Sequence, residues 1–171
     1  MAETAYLGLG SNLGDRLGNL RSAVRLLGAR MQILRSSRVY ETEPVGPPQP
    51  EYLNAVVEVR TELDPRGLLE ACRSVEDQLG RVRAERWGRR TIDVDLLTFD
   101  RLEVDEPDLQ VPHPRMHERG FVLVPLLELD PDPMLPGGRR VTALRLAPRS
   151  VLGVRPFAPP LEVLPGGGAG R

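Results

Sequence analysis

The chain has 171 residues, 40% of them hydrophobic and 27% charged, with a formal net charge of −1. That size and mixture suit one compact domain with a sizeable core, and the near-neutral charge excludes any global pull toward nucleic acid or an anionic membrane. No stretch reaches the roughly 20 apolar residues a bilayer requires, and the opening MAETAYLGLGS lacks a basic region followed by an apolar run, so an unprocessed cytoplasmic protein is expected.

In chain order, Thr4 to Gly10 alternates as a strand and SNLGDR follows as a loop. Leu17, Leu20, Val24 and Leu27 recur at three-to-four spacing and predict a helix, with Asp15 placed to cap its first turn. Met31 to Glu41 reads as a second strand. The proline-rich EPVGPPQPE then reads as a loop, since proline lacks the donor a strand ladder needs. Tyr52 to Thr61 is a third strand. Asp64-Pro65 opens a second helix, whose stripe of Leu68, Leu69, Cys72, Val75 and Leu79 stops at Gly80. A basic loop leads into a strand from Ile92 to Phe99. The order β-α-β-β-α-β predicts an α+β, ferredoxin-like sandwich, an antiparallel sheet with helices on one face, plus C-terminal additions. A single domain over residues 1–160 is expected, with a mobile proline- and glycine-rich tail over 161–171.

Two compositional features restrict the chemistry. The lone cysteine, Cys72, lies in the apolar stripe of a helix and reads as buried filler, which leaves no disulfide and no cysteine metal site. All 23 basic residues are arginine, so mechanisms built on a Schiff base, an amine nucleophile or a phosphate-loop lysine are excluded. The arginine bias itself is explained best by genome base composition.

Gly8-Leu-Gly10-Ser-Asn-Leu-Gly14 superficially matches a dinucleotide-binding turn. Its third glycine is one residue late and the following element order gives no parallel unit, so the glycines are read instead as a tight strand-to-helix turn. A sharper signal is Asp93-Val94-Asp95 inside the apolar IDVDLLTF. Residues two apart on a strand share a face, so two carboxylates emerge together from a mostly buried element. Desolvating that pair requires a cation or strong donors, and hard carboxylate oxygens suit magnesium. A strand with one solvated face would explain Asp-x-Asp alone. It explains less well the five arginines of Arg81-Val-Arg83-Ala-Glu-Arg86-Trp87-Gly-Arg89-Arg90 running into the pair, an arrangement suited to sharing a polyphosphate with a metal. Trp87 in such a loop suggests a lid that closes over a ligand. The stretch from Val111 to Phe121 carries both histidines, His113 and His117. Pro114 between them argues against a helical zinc pair, and His113 is read as a donor to phosphate or nucleotide, with a turn histidine packed on its own loop as the alternative.

Together these segments resemble the 6-hydroxymethyl-7,8-dihydropterin pyrophosphokinase family of folate biosynthesis. The resemblance rests on Tyr6-Leu-Gly-Leu-Gly-Ser-Asn-Leu-Gly14, Ser37-Arg-Val-Tyr-Glu-Thr42, Tyr52-Leu-Asn54, Gly80-Arg-Val-Arg83, Arg86-Trp-Gly-Arg-Arg-Thr-Ile-Asp-Val-Asp95, Val111-Pro-His113 and Arg119-Gly-Phe121, in order across roughly residues 5 to 130. It implies transfer of diphosphate from ATP to the hydroxymethyl group of the reduced pterin, with those two small molecules as partners, no nucleic acid or membrane, and a monomer. Asp93 and Asp95 would hold two Mg2+ ions. Arg81, Arg83 and Arg90 would bind the phosphates, with Arg81 and Arg90 acting in catalysis beside the aspartates. Glu76, Leu96, Leu109, His113 and Arg119 would line the ATP site. Tyr52 and Phe121 would stack on the pterin, Thr42, Asn54 and the backbone near Val45 would bond its amide-like edge, and Asp95 would border it. Trp87 and the proline loop would act as lids. Arg89 stands where the family has proline or a small residue, and the chain after about Asp130 matches nothing in the family pattern.

Two other classes compete. An RNA-binding module of this fold would present aromatic residues on its central strands, and aromatic content here is only 4%. Another metal-dependent phosphotransferase or nucleotidyltransferase would share the aspartates and arginines but lack Tyr52, Asn54 and Phe121.

Overall fold

The computed structural model describes residues 2–43, 48–80, 91–114, 116, 119–133 and 153–163. Their elements run β1 (Glu3–Ser11), α1 (Arg16–Gly28), β2 (Gln32–Ser36), β3 (Val39–Thr42), β4 (Tyr52–Thr61), α2 (Pro65–Gln78), β5 (Asp93–Phe99), β6 (Val104–Glu106), β7 (Leu109–Val111), α3 (Gly120–Leu129) and β8 (Arg155–Ala158). A six-stranded sheet has the order β5-β1-β4-β3-β8, with β2 also on β4, and every described pairing in it is antiparallel. β6 and β7 form a separate hairpin. The β1-α1-β-β4-α2-β5 frame is the expected ferredoxin-like α+β arrangement.

Local chemistry sets the helix ends. The Asp15 carboxylate accepts from the Gly18 N–H at 3.0 Å and Asp64 accepts from the Gly67 N–H at 2.8 Å, each satisfying a donor that the first helical turn leaves unpaired. Gly80 follows α2 at φ 73, the left-handed region that glycine enters without penalty. Replacing Asp64 by Ala is expected to destabilise the protein by about 1 kcal/mol in a urea titration, with no change in the slope of unfolding free energy against urea.

Strand alternation divides the core in two. Ala5, Leu7 and Leu9 of β1, Ala55, Val57 and Val59 of β4, and Val94 and Leu96 of β5 pack with Leu20, Leu27, Leu68 and Val75 of α1 and α2. Val56 and Leu97 point the other way and pack with Val122, Leu123 and Leu126 of α3. Helices therefore cover both faces, which corrects the one-face expectation. The sequence hid α3 because GFVLVPLLEL is apolar on every side and contains Pro125, so it shows no amphipathic stripe. Once buried against the sheet it needs none.

The expected second strand is also two strands. At the break, the Ser37 N–H donates to the Val56 carbonyl at 2.9 Å and the Ser37 hydroxyl accepts from the Val56 N–H at 2.9 Å, so a side chain replaces one rung of the ladder. Beside it the Ser36 hydroxyl accepts from the Leu161 N–H at 3.1 Å. That bond and the burial of Leu161 anchor the start of the segment expected to be a mobile tail, of which residues 164–171 lie outside the described residues. Among the described residues no helix is long and apolar enough to cross a membrane.

Candidate active site

The site develops from the α3-side face of the sheet. Gly8 of β1 is opposite Asp95 on one side and Val56 on the other; Gly10 is opposite Asp93 and Asn54. Asp93, Asp95, Gly8, Gly10 and Asn54 therefore share one face, and the glycines form a floor between the acidic pair and the polar row, covered at Gly8 by Leu97, whose Cδ1 lies 3.5 Å from an ideal Cβ there. Two strand spacings, roughly 10 Å, separate the rows. An ideal Cβ on Gly10 would lie 2.9 Å from Asn54 Oδ1 and 3.6 Å from the Tyr52 ring, so glycine is required there by close approach rather than by backbone angle. This corrects the turn reading of the motif: Gly8 and Gly10 lie inside a central strand, and only Gly14, at φ 71, serves the turn.

Thr42 and Tyr52 face each other across β3 and β4 in register, and the Asn54 amide donates to the buried Thr42 hydroxyl at 2.7 Å. Phe121 sits in the first turn of α3 against the core of the same face, with the Arg119 guanidinium 5.8 Å from its ring centre. Three expected pterin residues, Thr42, Tyr52 and Asn54, thus form one polar and aromatic row on the side of β1 away from the aspartates, and Phe121 borders the same layer.

On the opposite side of the aspartates, beyond β5, a cleft of about 310 Å³ is lined by Leu69, Val94, Asp95, Leu96, Pro107, Asp108, Leu109, Gln110, His113 and Pro114. Four expected residues, Asp95, Leu96, Leu109 and His113, meet in it. The His113 N–H donates to the Leu97 carbonyl at 2.8 Å, tying the segment after β7 to β5. Sequence reading missed the wall formed by β6 and β7, whose two-residue Pro107-Asp108 turn is the available signal. Arg66 of α2 holds that turn by donating to Asp108 at 2.9 Å and 3.1 Å and by an ion pair with Glu106.

Glu76 is not among the residues lining this cleft. It is buried, and its carboxylate accepts from the Val94 N–H at 3.1 Å, bonding α2 to the strand that carries the aspartates. Cys72 is fully buried beside it; burial first, then the negative field of Glu76 and Asp95, pushes its thiol up to about 12, which fits inert filler. Arg81, Arg83, Trp87, Arg89 and Arg90 in the basic loop, and Val45 and His117, lie outside the described residues.

Among the described residues no group of three or more His, Cys, Asp or Glu side chains surrounds one point. Asp93 and Asp95 on a half-open face suit magnesium, which takes one or two carboxylates and fills its remaining positions with water and substrate phosphate. They do not suit a closed zinc site.

Comparison with known proteins identifies the family and the fold. The model of the 7,8-dihydro-6-hydroxymethylpterin-pyrophosphokinase (HPPK) family matches residues 6–131. A Bacillus subtilis protein named 2-amino-4-hydroxy-6-hydroxymethyldihydropteridine pyrophosphokinase is 49% identical over 132 residues, covering 75% of this chain and 79% of that protein. A Pseudomonas aeruginosa protein of the same name is 41% identical over 152 residues, covering 86% and 93%. In fold, the chain is similar to a crystal structure of an HPPK-DHPS in complex with substrates, with TM-score 0.61 at 14% identity over 74% of this chain. It is similar as well to Plasmodium falciparum HPPK-DHPS with pterin and p-hydroxybenzoate, with TM-score 0.60 at 15% identity over 91% of this chain. It spans only 40% of each of those two solved chains. With the family pattern matched from Tyr6 through the end of α3, the chain belongs to the 7,8-dihydro-6-hydroxymethylpterin-pyrophosphokinase family.

Proposed function

We infer that the protein transfers the diphosphate of ATP to the hydroxymethyl group of 6-hydroxymethyl-7,8-dihydropterin, giving the pterin diphosphate and AMP. The observation that carries this reading is the position of Asp93 and Asp95 between a cleft beyond β5 and the Thr42–Tyr52–Asn54 row across the glycine floor. A donor and an acceptor in these two places would meet at the acidic pair. A generic phosphotransferase would have no use for the second place.

ATP occupies the cleft, with its base side toward Leu96, Leu109 and His113, Arg119 alongside, and its phosphates directed at the aspartates. The pterin lies over the row, its ring between Tyr52 and Phe121 and its polar edge on Thr42, Asn54 and the backbone near Val45. Asp93 and Asp95 would hold two magnesium ions, which when bound neutralise the phosphate oxygens and orient the β-phosphorus. The pterin hydroxyl oxygen forms a bond to that phosphorus as the bond to the α,β-bridging oxygen breaks, the hydroxyl proton passes to bulk solvent and AMP departs. Arginine is too weak a base to take that proton at neutral pH, so positioning carries much of the rate. Arg81, Arg83 and Arg90 grip the phosphates and offset charge on the leaving AMP, while Trp87 and the proline loop exclude water, the competing nucleophile. Glu76 contributes by holding β5 through Val94. The enzyme works as a cytoplasmic monomer on this reading.

Arg90→Ala is expected to lower kcat about tenfold while pterin affinity, measured by calorimetry, changes less than about twofold. Loss of pterin binding in that variant would reassign Arg90. The activity itself is tested by the nucleotide product, AMP for diphosphate transfer and ADP for single phosphoryl transfer.

A further inference from the structure

Past the span matched to the family, residues 153–163 return to the sheet. β8 pairs with β3 in an antiparallel register that sets Arg155 opposite Glu41 and Ala158 opposite Val39. Across that register Arg155 donates to Glu41 Oε1 at 2.8 Å and also pairs with Glu51. Arg16, in the first turn of α1, donates from the same Nη1 to Glu41 Oε2 at 2.8 Å and to the Glu51 carbonyl at 2.9 Å. Its guanidinium lies 5.5 Å from the ring centre of Phe157, so β8 supports the second arginine as well as supplying the first.

The two glutamates occupy special places. Glu41 directly precedes Thr42 and Glu51 directly precedes Tyr52, a register pair at the open end of β3 and β4. Because successive strand residues point to opposite faces, Glu41 projects from the back of the sheet where Thr42 projects from the front, and Glu51, just before β4, reaches the same Arg155 that Glu41 does. Arg155 and Arg16 thus join both strands at the positions next to Thr42 and Tyr52. Burial would raise the Glu41 carboxyl, but its bonds to Arg16 and Arg155 outweigh this and hold it below its ordinary value.

We propose that Arg155, delivered by the C-terminal strand β8, is a positioning residue for the pterin acceptor: with Arg16 it clamps Glu41 and Glu51 and thereby fixes the spacing of Thr42 and Tyr52. The inference rests on the assignment of that row to the pterin. Arg155 touches neither substrate, and its effect passes through the backbone of two adjacent residues. The ATP cleft, on the far side of β5, does not share this support.

The test compares the full-length protein with Arg155→Met, which keeps the aliphatic stem and removes the charge, and with Arg155→Lys, which restores it. For Arg155→Met the KM for 6-hydroxymethyl-7,8-dihydropterin should rise about fivefold, as expected for loss of a partly exposed ion-pair network, with the KM for ATP within about twofold of the parent. Arg155→Lys should recover at least half of that change. Amide hydrogen exchange, read in the same variants without substrate, should accelerate at residues 41–43 and 51–53 in Arg155→Met and not in β5. An unchanged pterin KM with unchanged exchange overturns the clamp, and an equal rise in both KM values overturns its selectivity for the acceptor. If the parent protein makes no AMP with this pterin, the activity assignment and the acceptor role fall, while exchange still decides whether the clamp exists.

Discussion

Asp95→Asn is expected to lower the rate of AMP formation by at least about a hundredfold while leaving the fold intact. Asn keeps the size and one oxygen of the side chain but removes the charge that a hard divalent cation requires. Asp95 is the acidic residue that both lines the cleft beyond β5 and shares a face with Gly8 of β1, so its loss acts at the junction of the two substrates. Its side chain is half-buried on a strand whose Val94 and Leu96 face the opposite core, and the isosteric change leaves that packing alone. Raising the magnesium concentration should recover part of the activity, because weakened ligation is partly offset by mass action. Turnover equal to the parent would remove Asp95 from metal binding.

Gly10→Ala should damage the other half of the site. The new methyl group would stand 2.9 Å from Asn54 Oδ1, closer than carbon and oxygen tolerate, and 3.6 Å from the Tyr52 ring. Asn54 must rotate away and lose its bond to the Thr42 hydroxyl, 2.7 Å long in the parent. A site that binds a polar ring edge through these groups then forfeits about 1–3 kcal/mol, roughly a 5- to 150-fold rise in the pterin KM. The KM for ATP should rise less than the KM for the pterin, since Gly10 is not among the residues lining the cleft. Equal losses for both substrates would mean that the pterin row has been placed wrongly.

Much of this arrangement is legible in the sequence alone. Asp-x-Asp on an apolar strand fixes a shared face by alternation alone, and Asp15 and Asp64 announce their helices by position. The role of Gly8 and Gly10 was not legible, because a glycine serving a turn and one serving close approach between strands read alike. Only the register of β1 with β4 and β5 separates the two cases. The uniformly apolar α3 and the pivot at Ser37 escaped for a related reason: periodicity reports one solvated face, and both features are defined by contacts distant in sequence. Glu76 shows the reverse difficulty, where a family role is assigned by position but the bond seen is to the Val94 backbone. The Arg155 network, bridging 114 residues to Glu41, could not be anticipated from spacing at all.

The most direct test of the central claim is to incubate the protein with ATP, magnesium and 6-hydroxymethyl-7,8-dihydropterin and to identify the nucleotide product by chromatography. Diphosphate transfer predicts AMP, one per pterin diphosphate, and none when the pterin is omitted. ADP as the product, or AMP formed equally well without pterin, would contradict it.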